Sequence, residues 1–101
     1  MTNLETANLI LDRYIAEKNL LPDTELEERE RDGAVIISNI VVPPRKRKKG
    51  IGRRFLTELR DAKIAVDLSY PKRASLPFWR KMYAEQLIPF PPDEYTLWEN
   101  A

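Results

Sequence analysis

The first apolar residues of the chain recur at the spacing of an α-helix. They lie mostly three or four positions apart, which predicts an amphipathic helix that extends to about Lys18. Thr2 and Glu5 have the spacing of a capping box at its start, and Asn19 with Pro22 marks its end. The apolar stripe, which we expect to face the core, consists of Leu4, Ala7, Leu11, Tyr14 and Ile15.

A charged stretch and an apolar stretch follow, joined by Asp32-Gly33. Asp-Gly favours the positive φ angles of a tight hairpin turn, so the two stretches are predicted to pair as antiparallel strands. Residues 34–42 are nearly continuous in apolar character, which is typical of a central strand covered on both faces. Residues 24–31 are expected to form its charged edge partner.

The second half of the chain alternates helices and strands. Apolar spacing predicts a helix from Gly52 to about Ala62, and alternation predicts a strand over residues 64–68. Ser75 is the expected N-cap of a third helix, with Pro77 in its first turn. The Pro-rich stretch after this helix is expected to be a loop, and "YTLWE", residues 95–99, a terminal strand.

These elements predict one α/β (α+β) domain over residues 1–101, with about four strands and three helices in the order α-β-β-α-β-α-β. Residues 34–70 read as strand, helix and strand, and such crossovers are right-handed and join parallel strands. A chain of 101 residues is long enough for a single core but not for two.

Charge is distributed unevenly along the chain. The net charge is only +1, yet seven of the ten positions from Arg45 to Arg54 are Lys or Arg. This local excess indicates an anionic partner at one place on the surface. There is no Cys and no His, which excludes disulfides, thiolate or imidazole nucleophiles and Cys/His metal sites.

The N-terminus and the apolar runs bear on location. Acidic Glu5 stands where a signal peptide would be basic, and no apolar run reaches the roughly 18 residues that span a bilayer. We therefore expect a soluble, cytoplasmic protein that does not contact membranes.

The basic stretch, "VVPPRKRKKGIGRRFL", joins a predicted buried strand to a predicted helix. A helix N-terminus exposes unpaired amides and carries partial positive charge, so it binds phosphate well. Gly50 and Gly52 lack the β-carbons that would keep a pyrophosphate from those amides, and the prolines end the strand. The loop is predicted to cradle phosphate.

The pattern Val42-x-Pro44-x-x-Arg47-x-x-Gly50-x-Gly52 resembles the acyl-CoA-binding motif of the GNAT superfamily of N-acetyltransferases, here as a truncated or minimal member. The resemblance extends over about residues 34–84. Within it, residues 64–68 and the following "SLPFWRKMY" resemble the family's next strand and its "FYxK" helix.

The resemblance implies a cofactor, acetyl-CoA or another acyl-CoA, and an amine acceptor, either a small molecule or a protein. The backbone of Ile40, Val41 and Val42 would pair with the pantetheine arm, and Arg47 would close the loop. Acetyl transfer would be direct, with a backbone amide of the central strand polarising the thioester carbonyl. The residues whose amides would hold the pyrophosphate are Lys48, Lys49, Gly50, Ile51, Gly52 and Arg53.

The catalytic half of the family pattern is incomplete. The central strand offers Ser38 and Asn39 where the family often has a Glu that relays a proton. Trp79 stands where the family has a Tyr that protonates the CoA thiolate, and Tyr83, one turn later, is the candidate substitute. A base from the acidic strand, through Glu25, Glu27 or Glu30, is an alternative. The expected activity is N-acetyl transfer, or CoA binding with little activity.

Two other functions fit the sequence. The basic loop over residues 45–54 could clamp the phosphates of a nucleic acid. Alternatively, Trp79, Trp98 and the Pro-rich end suit a homodimer that completes its sheet across subunits.

Overall fold

The computed structural model describes residues 1–69, 71, 73–89 and 91–92 of the chain. These residues form a mixed α+β fold. The helices are α1 (Asn3–Ala16), α2 (Ile51–Asp61) and α3 (Leu76–Ala84); the strands are β1 (Glu25–Glu28), β2 (Val35–Asn39) and β3 (Val66–Leu68). Short 3-10 turns lie at Pro44–Lys46 and Arg73–Ser75.

The sheet has the order β1-β2-β3, with β1 antiparallel and β3 parallel to β2. The predicted mixed fold, the order of its first six elements and the parallel pair are thereby confirmed. The predicted terminal strand, residues 95–99, lies outside the described residues. Within the described ranges, no helix combines the length and apolar character needed to cross a bilayer.

Local hydrogen bonds cap the helices, and one of these caps determines where β3 begins. The Glu5 amide donates to Thr2 Oγ1 and the Thr2 amide to Glu5 Oε1, both at 3.1 Å, which confirms the capping box. Each of α1, α2 and α3 is followed by a left-handed residue, and the next amide bonds to the carbonyl five positions earlier. The left-handed residues are Lys18, Lys63 and Gln86. Ile64 belongs to the second of these caps, so β3 begins at Val66 rather than at residue 64.

Ser75 holds the N-cap position of α3, and Pro77 lies in the first turn, as predicted. The Ser75 side chain does not make the expected capping hydrogen bond. Its backbone is in the right-handed helical region at φ −93°, because a 3-10 turn runs directly into α3. A capping serine needs an extended backbone to turn its hydroxyl towards the helix amides.

One apolar cluster joins the three helices to the sheet. Tyr14 of α1 and Phe55 of α2 meet edge to face, with ring centroids 5.3 Å apart, and Phe55 is completely buried. Trp79 and Met82 of α3 belong to the same cluster. The predicted helical stripe of α1 is therefore largely a core face, and it fixes α2 beside the sheet.

Two details of the hairpin differ from the prediction. The turn is a four-residue connection over residues 30–33, closed by the Arg29 amide on the Ala34 carbonyl at 2.8 Å, with only Gly33 at positive φ. A tight Asp-Gly turn would need positive φ at Asp32 as well. In addition, β2 is shorter than residues 34–42, and its side chains alternate between buried and half-buried in Val35–Ser38. Cover on both faces is thus not complete in the described fold.

Ion pairs of Arg29 with Asp32 and Asp67 connect this turn to β3. Arg29 donates to Asp32 through Nε at 3.0 Å and Nη2 at 2.7 Å, and through Nη1 to Asp67 Oδ2 at 2.9 Å. The hydrogen bonds that Arg29 donates to Asp32, and then the one that it donates to Asp67, raise the pKa of its guanidinium. Hydrogen bonds from Arg29 and then from the Ala34 amide lower the pKa of Asp32 to about 2.

Acid should therefore remove a defined part of the stability. Because the pKa of Asp32 is lower in the folded state, its contribution is complete above pH 4, near the ordinary aspartate value, and disappears as pH falls towards 2. Thermal melts of the wild type and Asp32→Asn should differ by a constant margin at pH 5–7, and this margin should shrink between pH 4 and 2. A margin that does not change with pH would contradict the assigned ion pair.

Candidate cofactor-binding groove

A groove with a volume of about 990 Å³ opens between the end of β2 and helix α3. One wall is the strand end, the opposite wall is α3, and the loop before α2 closes one end. The ten residues predicted for cofactor binding all line it: Ile40, Val41, Val42, Arg47, Lys48, Lys49, Gly50, Ile51, Gly52 and Arg53. We call this cavity the basic groove.

The groove exists because β2 and β3 separate. Among the described residues, their last hydrogen bond runs from the Ser69 amide to the Ile37 carbonyl at 3.1 Å. Beyond it, the chain is held on the other side of β2, where Val41 accepts from the Leu21 amide at 2.9 Å and donates to Thr24 Oγ1 at 3.0 Å. These bonds pull the strand end away from β3 and leave the gap.

A register shift decides which peptide groups face the gap. Leu26 lies opposite Ile37 and Glu25 opposite Asn39, so Ser38 is an extra residue in β2. Peptide groups alternate sides along a strand, and one extra residue reverses the alternation. Ile37 therefore bonds towards β3, whereas Val41 bonds towards β1.

Because of this reversal, one of the three strand-end residues cannot make the backbone pairing that was expected of it. Both backbone groups of Val41 are directed away from the groove, so Val41 does not offer the backbone pairing predicted for it. By the same alternation, the N–H and C=O of Ile40 point to the groove side. Val42 follows on the groove side, and its carbonyl accepts from Arg47 Nε at 3.2 Å.

The loop after the strand presents a row of amides. Its Arg47–Val42 hydrogen bond folds it back on the strand, and Lys48 and Gly50 reverse its direction with φ of 64° and 73°. The first amide bonded inside α2 is that of Arg54, to the Gly50 carbonyl at 2.9 Å. Within the described chain, the amides of residues 48–53 have no backbone acceptor. They form a row of unpaired donors at the positive end of α2, the kind of arrangement that favours an anion.

Glycine is favoured at positions 50 and 52 for two different physical reasons. A Cβ on Gly50 would meet nothing within 4 Å, so glycine is favoured there by the left-handed backbone. A Cβ on Gly52 would lie 2.9 Å from Cζ of Phe78, because the ring packs against the first turn of α2. The second glycine therefore permits the close approach of α3, a reason that the sequence did not indicate.

Basic side chains surround these amides on several sides. Lys46, Lys48 and Lys49 come from the loop, and Lys46 is half-buried. Arg53 extends from α2 and forms an ion pair with Glu85 at the end of α3. The Oε2 atom of Glu85 is buried and has no hydrogen-bond partner within the described residues. Arg53 is thus partly neutralised, and Arg47 and the lysines carry the remaining charge.

The structure does not bring the catalytic candidates to the groove. Tyr83 is 41% exposed and lines a separate cavity of about 700 Å³, beside Arg60 and β3. Glu25, Glu27 and Glu30 also lie outside the lining of the basic groove. Tyr83 is therefore not placed to protonate a thiolate in the groove.

The described lining contains no carboxylate and no tyrosine. Its neutral polar side chains are Ser38, Asn39 and Ser75, which can orient water or substrate but are poor bases. The described lining therefore combines positive charge and unpaired backbone amides with an apolar wall, and it contains no carboxylate that could act as a base.

Several groove residues escaped the sequence prediction. Lys46 and Lys81 add positive charge, and Phe78, Trp79 and Met82 form the apolar part of the α3 wall. The sequence did contain a signal for part of this wall. Lys81 and Met82 follow Phe78 by three and four positions, which puts the three residues on one helix face. The sequence alone did not reveal that this face meets α2.

Comparison of the chain with family models, curated proteins and solved structures finds no significant match.

Proposed function

We propose that the basic groove binds an acyl-CoA and that the protein is an acyl-CoA-dependent N-acetyltransferase of the GNAT type, or a CoA-binding relative with little activity. The observation that carries the proposal is the joint placement of two features in one cavity. Amides 48–53 lie at the helix N-terminus, and the peptide groups of Ile40 face the same gap between separating strands. The proposal includes a GNAT-like sheet of four strands, with residues 95–99 as the fourth.

The two features match the two parts of the ligand. A diphosphate carries negative charge and accepts several hydrogen bonds, which suits the amides of residues 48–53 and the lysines beside them. A pantetheine arm contains amide groups that can pair with the N–H and C=O of Ile40 in the manner of an added strand. The resulting chain would run along the groove past Ser38 and Asn39 towards the apolar α3 wall.

The chemistry proposed is attack of a neutral amine on the thioester carbonyl. The carbonyl oxygen gains charge as the C–N bond forms, and a strand amide facing the gap would stabilise it. The C–S bond then breaks, and the thiolate leaves and is protonated through water. Since the described lining offers no carboxylate base, we expect the amine to arrive unprotonated or to lose its proton to a water held near Ser38 or Asn39.

The experiment is a thermal melt with acetyl-CoA. A ligand at 100 times its Kd adds about 2.7 kcal/mol, which is on the order of 10 °C for a domain of this size. Gly50→Val should abolish the shift, because valine cannot hold the left-handed backbone that presents the amides.

Gly33→Val is the matched control. Gly33 also has φ of 73° but lies in the hairpin turn, outside the groove. Both variants should melt earlier than the wild type, and only Gly33→Val should keep the full acetyl-CoA shift. A wild type that does not shift at millimolar acetyl-CoA would contradict the proposed function.

A further inference from the structure

We infer that Lys81 is a further binding residue of the basic groove, which grips the diphosphate of the ligand from the α3 wall. The inference rests on the proposed function and adds a contact to it. All cations predicted for this site lie on the loop or the first turn of α2, whereas Lys81 lies on the facing helix.

The position of Lys81 follows from its two neighbours on the same helix face. Phe78, three residues before it, packs its ring against Gly52. Glu85, four residues after it, forms an ion pair with Arg53. Residues three and four apart share one face of a helix, so Lys81 lies between two contacts with the first turn of α2. That turn contains the amides that lack backbone acceptors.

The charge of Lys81 is available to a ligand. Its side chain is exposed, it lines the groove, and it forms no ion pair within the described part of the chain. Arg53, by contrast, is engaged by Glu85, so its charge is partly neutralised. Lysine carries three donors on a flexible stem, which suits a phosphate whose oxygens point in several directions.

Contact from both walls has a consequence for affinity. The amides and loop lysines approach a diphosphate from one side only, leaving its other oxygens to water. A charge-assisted hydrogen bond from Lys81 would use one of those oxygens and close the groove around the ligand. Removing it should weaken binding without affecting the fold, because Lys81 is exposed and makes no ion pair with the described residues.

The test is calorimetric titration of acetyl-CoA into the wild type, Lys81→Met and Lys81→Arg. We expect Kd to rise about tenfold in Lys81→Met, and to stay within about threefold of the wild type in Lys81→Arg, which keeps the charge. Arg31→Met is the control, since it removes one positive charge from the hairpin turn, outside the groove. Its Kd should remain within about twofold. The melting temperatures of the unliganded proteins should agree.

Each other outcome has a definite meaning. Equal weakening by Lys81→Met and Arg31→Met would show an effect of net charge alone and would overturn the inference. Acetyl-CoA affinity unchanged in Lys81→Met would overturn it while leaving the proposed function intact. A mass increase of one acetyl group on Lys81 after incubation would make it an acceptor and not a phosphate contact. Absence of binding by the wild type would overturn the proposed function and the inference together.

Discussion

Replacement of Asp67 by alanine is expected to lower the free energy of unfolding by roughly 2–4 kcal/mol. Asp67 is 6% exposed, and each of its two carboxylate oxygens accepts a different hydrogen bond. Oδ1 accepts from the buried Leu68 amide at 2.8 Å, and Oδ2 accepts from Arg29 Nη1 at 2.9 Å. Alanine would leave a buried donor without its acceptor and would release the guanidinium that joins the hairpin turn to β3.

The matched variant is Asp67→Asn, which keeps an oxygen acceptor for the Leu68 amide and removes the charge. We expect it to lose about 1 kcal/mol, clearly less than alanine. Urea denaturation at pH 7, followed by circular dichroism, measures both. An alanine variant within 0.5 kcal/mol of the wild type, a limit about the usual spread of surface substitutions, would show that the network is incidental.

Replacement of Gly52 by valine is expected to cost about 2 kcal/mol, and the loss should depend on Phe78. A Cβ at position 52 would lie 2.9 Å from Cζ and 3.1 Å from Cε1 of the Phe78 ring. The two γ-carbons of valine would add further overlap, so the ring and α3 would have to move away from α2. Because Phe78 and Trp79 both line the basic groove, this movement should also weaken binding of acetyl-CoA.

A double-mutant cycle isolates this contact. Phe78→Ala alone loses buried apolar area, but in the Gly52→Val background it also removes the clash. The stability losses of the two single variants, added together, should therefore exceed the loss of the double variant by at least about 1 kcal/mol. Additive losses would mean that Gly52 is required for another reason, such as the approach of a ligand.

Much of the fold follows from local pattern. Helical spacing predicted α1 and α2 because their buried residues recur every three or four positions, and the capping box of Thr2 and Glu5 is a local hydrogen-bond motif. The basic loop was also predictable, since prolines, glycines and charges lie together in the sequence. These features depend on neighbours within a few residues.

The remaining features depend on contacts distant in sequence. Strand β2 ends early because Val41 bonds to Leu21 and Thr24, about 20 residues away, and no local pattern encodes that choice. Tyr83 was assigned to the groove from its spacing to Trp79. It lies five residues after Phe78, roughly 140° around the helix, and the face that meets α2 is that of Phe78. Packing of α3 therefore decided which aromatic residue faces which cavity.

Titration of the isotopically labelled protein with acetyl-CoA, followed by NMR of its amide resonances, shows whether the basic groove binds an acyl-CoA. We expect saturable shifts that are largest at the amides of residues 48–53 and at Ile40, with small changes at Val41, whose amide is already bonded to Thr24. Absence of saturable shifts, or shifts concentrated around Arg60 and Tyr83 in the other cavity, would contradict the assignment of the basic groove as an acyl-CoA site.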